Sequence, residues 1–355
     1  MNLRNVFIPA LAVVLLAGMA RAADTHTAAS AWQELQNFSM PTPPLDWQTN
    51  SPTQEQLGKF DDQEEAAALA QADRARQFYL AFPQDTNTTQ ARLMEIEALQ
   101  EAVHFGATNR SDELDLREQT AVDDTHVPET TRYQLRLDQI GRELQAAKDS
   151  GADMNATLEQ AGRELVREFP DGPAGYEILD ELAMNGDLLK MFDLAKVMAG
   201  SGGPPELTGL GTNLLNQIKV VGKPLPVRFT AADGREINPT TLSNKVVLVD
   251  FWASWCPPCV ASIPGLKKLY EQYHTNGLEI VGINFDDDTN AAEKCIAVNQ
   301  MPWPQYFGGY GADNPYGRQY GDTLPYVWLV DKKGIVQDIH GRVDTEAKIE
   351  KLLAE

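Results

Sequence analysis

Apolar residues along this chain change their period once. From about residue 52 to 218 they recur every three or four positions, the spacing of one helix face. Tyr133, Leu137, Ile140, Leu144 and Ala147 form one such stripe with polar residues opposite. Leu93, Ile96, Leu99 and Val103 form another, opened by Thr88 and Thr89 as capping residues. Two of the expected helices end alike, at Ala81-Phe82-Pro83-Gln84 and at Glu168-Phe169-Pro170-Asp171. Proline cannot continue a helix and turns the residue before it away from helical backbone, so each end is a corner between two helices.

These corners look like the helical hairpins of tetratricopeptide-like repeats, but no clean period of about 34 residues connects them. A repeat and an irregular all-α bundle both stay open, and either suits a scaffold on which a protein partner docks. Ahead of the helices, residues 23–50 are rich in Thr, Ser, Asn and Pro and hold no period, as an extended leader would. Behind them, Ser201-Gly202-Gly203-Pro204-Pro205 breaks the pattern and a last helix fits 206–219. Gly222-Lys223-Pro224-Leu225-Pro226 then reads as a linker.

Past the linker the period shortens. Residues 227–230, a turn at Asp233-Gly234 and a second extended stretch read as a hairpin. Val246-Val247-Leu248-Val249-Asp250-Phe251 is a nearly unbroken β-branched and apolar run, as a strand buried on both faces requires. A helix fits 260–273, a second buried strand 278–284, and a helix 290–299. Residues 327–330 and 335–339, joined by Lys332-Lys333-Gly334, form a hairpin before a terminal helix over 345–353. The expected organisation is thus 23–50 leader, 51–221 helical domain and 222–355 mixed α/β domain.

The first residues alter that picture. Arg4, an apolar run over 6–18 and Ala20-Arg21-Ala22 are ordered as a secretory signal, which removes 1–22 from the fold and sends the mature chain to the periplasm or outside the cell. An uncleaved membrane anchor is the alternative, though the run is short for the ~20 residues that span a bilayer. The formal charge of −21 argues against nucleic acid as a partner. It is unevenly spread: 34 acidic against 15 basic residues over 23–221, but 17 against 13 over 222–355. The acidic helical half is therefore the candidate docking surface.

Only three cysteines are present, so packing rather than a disulfide framework must hold the fold. Two stand three positions apart, at the end of the first buried strand: Cys256-Pro257-Pro258-Cys259. That spacing on a helix's first turn lets one thiolate attack a disulfide and the other resolve the mixed disulfide. Cys256, facing free backbone N–H groups and the positive end of the helix dipole, is the expected nucleophile; Cys259 resolves. Pro257 and Pro258 are tolerated there because early helical N–H groups have no intrahelical acceptor. A structural zinc site would need four ligands, and no second pair at zinc spacing exists. A copper carrier would need a nearby His or Met, for which His340 is the candidate. No metal or cofactor is expected.

The segment 245–259, Lys245-Val246-Val247-Leu248-Val249-Asp250-Phe251-Trp252-Ala253-Ser254-Trp255-Cys256-Pro257-Pro258-Cys259, resembles the active-site segment of the TlpA/ResA-type thioredoxin-like reductases of bacterial envelopes, within the redoxin superfamily. The resemblance runs through most of 222–355, including Met301-Pro302-Trp303-Pro304 and Trp328-Leu329-Val330-Asp331. It implies an α+β multidomain chain: an N-terminal all-α helical-hairpin region and a C-terminal thioredoxin-like α/β/α sandwich. It also implies a protein-disulfide reductase that acts on protein thiols and disulfides and draws electrons from a membrane-embedded thiol reductant. Asp250 matches the family's buried acid, which exchanges a proton with the resolving cysteine; desolvation would raise its pKa to suit. Leu324-Pro325 matches the cis-proline position that pairs with substrate, although only three residues separate Gly321 from Pro325, one fewer than thioredoxins commonly carry. Trp255, with Pro257 and Pro258, would touch substrate, and Trp252 would join the core. Cys295 reads as a buried, inert thiol, and Asp286-Asp287-Asp288 as a solvated helix entry that lacks the spacing of a calcium loop. A thiol peroxidase of the redoxin group is the alternative chemistry, without the Thr-x-x-Cys loop it would use; a partner-binding scaffold with secondary redox activity is the alternative class.

Overall fold

The computed structural model describes residues 27–310, 313–321, 323–341 and 344–355. The expected signal over 1–22 lies outside the described residues. The chain divides into two compact units between residues 139 and 140.

The first unit holds α1 (Ala28–Gln36), α2 (Gln54–Ala81), α3 (Thr88–His104), α4 (Ser111–Asp123) and the start of α5 (Glu129–Ser150). Helix α1 stands where an extended leader was expected. Thr27 caps it by accepting from the Ser30 N–H, and Trp32 and Leu35 pack against Phe78, which shields apolar surface a free arm would expose. At the first Pro corner α2 turns back as α3. Ala75 meets Ala91 in one cluster and Ala68 meets Ala102 in another, a pairing that requires the two helices to run antiparallel. The capping position of α3 is Asn87 rather than Thr88 or Thr89; the Thr88 hydroxyl instead donates to the Phe82 carbonyl at 3.0 Å and closes the corner.

The second unit begins within α5 and continues through α6 (Met154–Glu168), α7 (Pro173–Asn185), α8 (Leu188–Ala199) and α9 (Pro205–Ile218). Then come β1 (Phe229–Thr230), β2 (Glu236–Ile237), β3 (Val246–Trp252), α10 (Pro257–Tyr273), β4 (Leu278–Asn284), α11 (Thr289–Asn299) and β5 (Gln305–Phe307). Helix α12 (Pro315–Tyr320), β6 (Tyr326–Val330), β7 (Val336–Asp338) and α13 (Thr345–Ala354) complete it. The five-stranded sheet has the order β5-β4-β3-β6-β7; β3, β4 and β5 are parallel, β6 pairs antiparallel with β3, and β7 antiparallel with β6. Every residue of β3, β4 and β6 is buried, as expected of strands covered on both faces. This is the thioredoxin-like α/β/α sandwich, following an all-helical region.

Helices α7, α8 and α9 share one hydrophobic cluster with the sheet: Tyr176, Leu179, Met191, Leu194, Met198 and Leu214 join Val247, Phe251, Trp328 and Val336. The segment expected to be a linker, 222–226, is tied down by backbone bonds. The Gly222 N–H donates to Val336 O and the Leu225 N–H to Gly334 O, both at 2.8 Å, while Lys223 O accepts from Val336 N–H. Side-chain types say nothing of such pairing, so a Pro- and Gly-rich stretch reads as a linker even when it lines a sheet edge.

Candidate active site

Strand β3 delivers the chain to the dicysteine. After Trp252 the backbone leaves the sheet, and Cys256 takes the N-cap position of α10 with extended backbone; Pro257 and Pro258 fill the first helical turn. Cys256 and Cys259 are joined by a disulfide with Cα atoms 5.3 Å apart, and both are almost fully buried. The Cys259 N–H donates to Cys256 Sγ at 3.3 Å. That donor and the N-terminal end of a seventeen-residue helix both favour negative charge on Cys256 once the bond is reduced.

Asp250 is 2% exposed, in register with Gly282 on β4 and Val327 on β6, so a strand-end carboxylate that merely meets water is ruled out. The Leu324-Pro325 peptide is cis. Phe251 pairs with Tyr326, so Pro325 directly precedes the last paired residue, at the sheet end from which the chain runs on to Cys256. The two tryptophans divide as expected. Trp252 is buried and donates Nε1–H to Gln305 Oε1 at 2.9 Å, whereas Trp255 is 51% exposed and meets Tyr310 edge-on, ring centroids 5.4 Å apart.

Of the three aspartates at 286–288, Asp287 and Asp288 are exposed at a helix entry as expected, and Asp286 is a correction. Asp286 is 2% exposed: its carboxylate accepts from the Ser254 N–H at 2.8 Å, from the Ser254 hydroxyl, and from Asn284 Nδ2 at 2.6 Å. It therefore pins the turn just before Trp255 and Cys256. Asp287 accepts from the Tyr310 N–H at 3.0 Å, and Asp288 caps α11. Asn314, fully buried, donates to the carbonyls of Asn284 and Gly309 and caps α12. Consecutive acids look like one solvated patch in a sequence, but alternate residues leaving a strand end face opposite ways.

Cys295 is a free, half-buried thiol; burial pushes its pKa up, against the 3.5 Å contact from Asn299 Nδ2. His340 lines a cavity of about 370 Å³ with Asp187 and Asp338, and burial pushes its imidazole below the ordinary value. Among the described residues no three His, Cys, Asp or Glu side chains converge to hold a metal ion.

Comparison with known proteins centres on the same stretch. Residues 220–353 match the family described as Redoxin. The thiol:disulfide interchange protein DsbE of Pseudomonas aeruginosa is 34% identical over 138 residues, which cover 38% of this chain and 73% of that one. The thiol-disulfide oxidoreductase ResA of Bacillus thuringiensis is 29% identical over 137 residues, 38% of this chain and 76% of that one. Among solved structures, the thioredoxin domain of a thiol-disulfide oxidoreductase from Bacteroides vulgatus is 25% identical, covering 38% of this chain and 97% of that domain, with a TM-score of 0.34.

Proposed function

We propose, from the premise that this chain belongs to the redoxin family as a TlpA/ResA-type thiol-disulfide oxidoreductase, that it reduces protein disulfides outside the cytoplasm through Cys256 and Cys259. The observation that carries the reading is the placement of Cys256: an N-cap sulfur that accepts a backbone N–H, with its partner cysteine one turn into the same helix.

In the reduced protein the Cys256 thiolate attacks one sulfur of a substrate disulfide. The substrate S–S bond breaks, its electron pair leaves on the second sulfur, which takes a proton from water, and a mixed disulfide forms. Cys259 then loses its proton to the Asp250 carboxylate and attacks Cys256 Sγ. The second substrate thiolate leaves and is protonated in turn, and the pair returns to the Cys256–Cys259 disulfide. Asp250, buried in the strand that leads to the dicysteine, would exchange that proton away from bulk water. The exposed face of Trp255, the Pro257-Pro258 turn and the Leu324-Pro325 edge would meet the substrate chain. A membrane-embedded thiol reductant would restore the two electrons.

The test is insulin reduction by the full chain carrying Cys256→Ser or Cys259→Ala. Cys256→Ser must abolish turnover with the fold intact, and Cys259→Ala must accumulate a mixed disulfide on Cys256. Undiminished turnover by Cys256→Ser would sink the proposal. An equilibrium with glutathione then sets the direction, since about 30 mV shifts this two-electron couple tenfold.

A further inference from the structure

Helix α12 has only six residues, and its last carbonyls have no acceptor role within the helix. Its last two carbonyls and that of the residue after it are taken by side chains. Gln319 O accepts from Asn216 Nδ2 at 3.1 Å, Tyr320 O from Gln217 Nε2 at 2.8 Å, and Gly321 O from the Tyr326 hydroxyl at 3.2 Å. Two of the three donors stand on α9, in the region expected to be a separate helical domain. Gln217 is 4% exposed, so its bond to Tyr320 is made away from water, where an unpaired carbonyl is costly.

A third α9 residue presses on the same backbone. Gly321 has φ +92, and a Cβ there would lie 2.8 to 3.0 Å from the Asn213 side chain. The position thus needs glycine both for its left-handed backbone and for the room Asn213 leaves it. Gly321 precedes the Leu324-Pro325 edge, which the β3–β6 register sets at the sheet end from which the chain runs on to Cys256. That edge is therefore anchored in the sheet on one side and in α9 on the other.

We infer that α9 sets the substrate-facing edge of the thiol-disulfide site: Asn213, Asn216 and Gln217 are positioning residues for the end of α12 and Gly321, and through them for the Leu324-Pro325 edge that would meet protein substrates. The inference rests on the proposed reductase reading. It assigns this part of the helical region a place in substrate recognition within its own chain. Loss of an α9 donor would let the end of α12 and the Leu324-Pro325 edge shift and weaken the fit of an extended substrate, while the dicysteine on α10 keeps its own environment.

The experiment compares the full chain with Gln217→Met, which keeps side-chain length but removes the donor, and with Asn216→Ala, which removes a bond at the protein surface. Steady-state insulin reduction and the equilibrium with glutathione are measured on each, with thermal unfolding as the check on folding. Gln217→Met is expected to raise KM for insulin about tenfold and Asn216→Ala severalfold, with kcat and the glutathione equilibrium constant within twofold of the parent. Should Gln217→Met not fold, Asn216→Ala decides alone. Unchanged KM in the folded variants overturns the inference and leaves the reductase reading standing, as does a parallel fall in kcat with a shifted glutathione equilibrium. A parent protein inert toward insulin overturns both.

Discussion

Replacing Asp180 by Asn tests the burial physics of the second unit directly. Asp180 lies on α7, and desolvation alone raises its pKa from 3.8 to about 6. A carboxyl whose folded pKa exceeds its unfolded value binds its proton more tightly when folded. Its contribution is therefore fully present below about pH 4 and is lost as the pH rises through 6. Just over two units at 1.36 kcal/mol each make the ionised folded form about 3 kcal/mol less stable at pH 8 than protonation would leave it. Asn keeps the shape and cannot ionise, so Asp180→Asn should gain about 2–3 kcal/mol at pH 8 and nearly nothing at pH 4. Glu159 pulls the other way, because its hydrogen bond from Lys190, with help from Arg163, holds its pKa low and its stabilisation fades as the pH falls. The difference between variant and parent removes that background, as it does for every group not in contact with Asp180. Urea unfolding followed by tryptophan fluorescence at pH 4, 6 and 8 reads it out. A variant no more stable than the parent at pH 8 would refute the reasoning and mean that water or a cation reaches the carboxylate.

Two further outcomes follow from contacts described above. Asp286→Ala strands two Ser254 donors and one from Asn284; with hydrogen bonds to a charged group contributing about 1.5–3 kcal/mol each, chemical unfolding should show a loss of at least about 3 kcal/mol. A loss under about 1 kcal/mol would mean that the 254–255 turn holds itself. A chain beginning at residue 222 should be far less stable than one beginning at 140, because it strips Leu214, Met198 and Val220 from the cluster they share with the sheet, at roughly 1.5–3 kcal/mol per large side chain; equal urea midpoints for the two would contradict this.

What a sequence shows depends on which chemistry leaves a periodic trace. Strands β3 and β4 were legible to within a residue because both faces are covered, so nearly every position must be apolar. The Pro corners after α2 and α6 were legible because proline acts on its own backbone, without needing the rest of the fold. Strand β5 was not, since three residues at a sheet edge carry no pattern. Helix α12 did leave a signal, in Asn314 as cap, Pro315 in the first turn and Gly321 past the end, but at six residues it has no apolar stripe to draw the eye.

The candidate site divides along the same line. Cys256, Cys259 and Pro325 are recognisable by residue type and spacing, and the register of β3 with β6 supplies the proximity that spacing alone could not. Asp286, Asn314, Asn213 and Gln217 are recognisable only by what they touch, because Asp, Asn and Gln on a polar surface look the same as when they hold a backbone in place. An amphipathic pattern in α9 tells that one face is buried, never what receives it. The receiver is the end of α12, and so a helix whose sequence suggested a neighbouring module supplies two of the three side-chain donors to the carbonyls of 319–321. A thiol-disulfide site of this kind carries its reactivity in a four-residue motif. Its shape toward a protein substrate, by contrast, is set through polar residues of α9 that stand 103 positions before the backbone they hold.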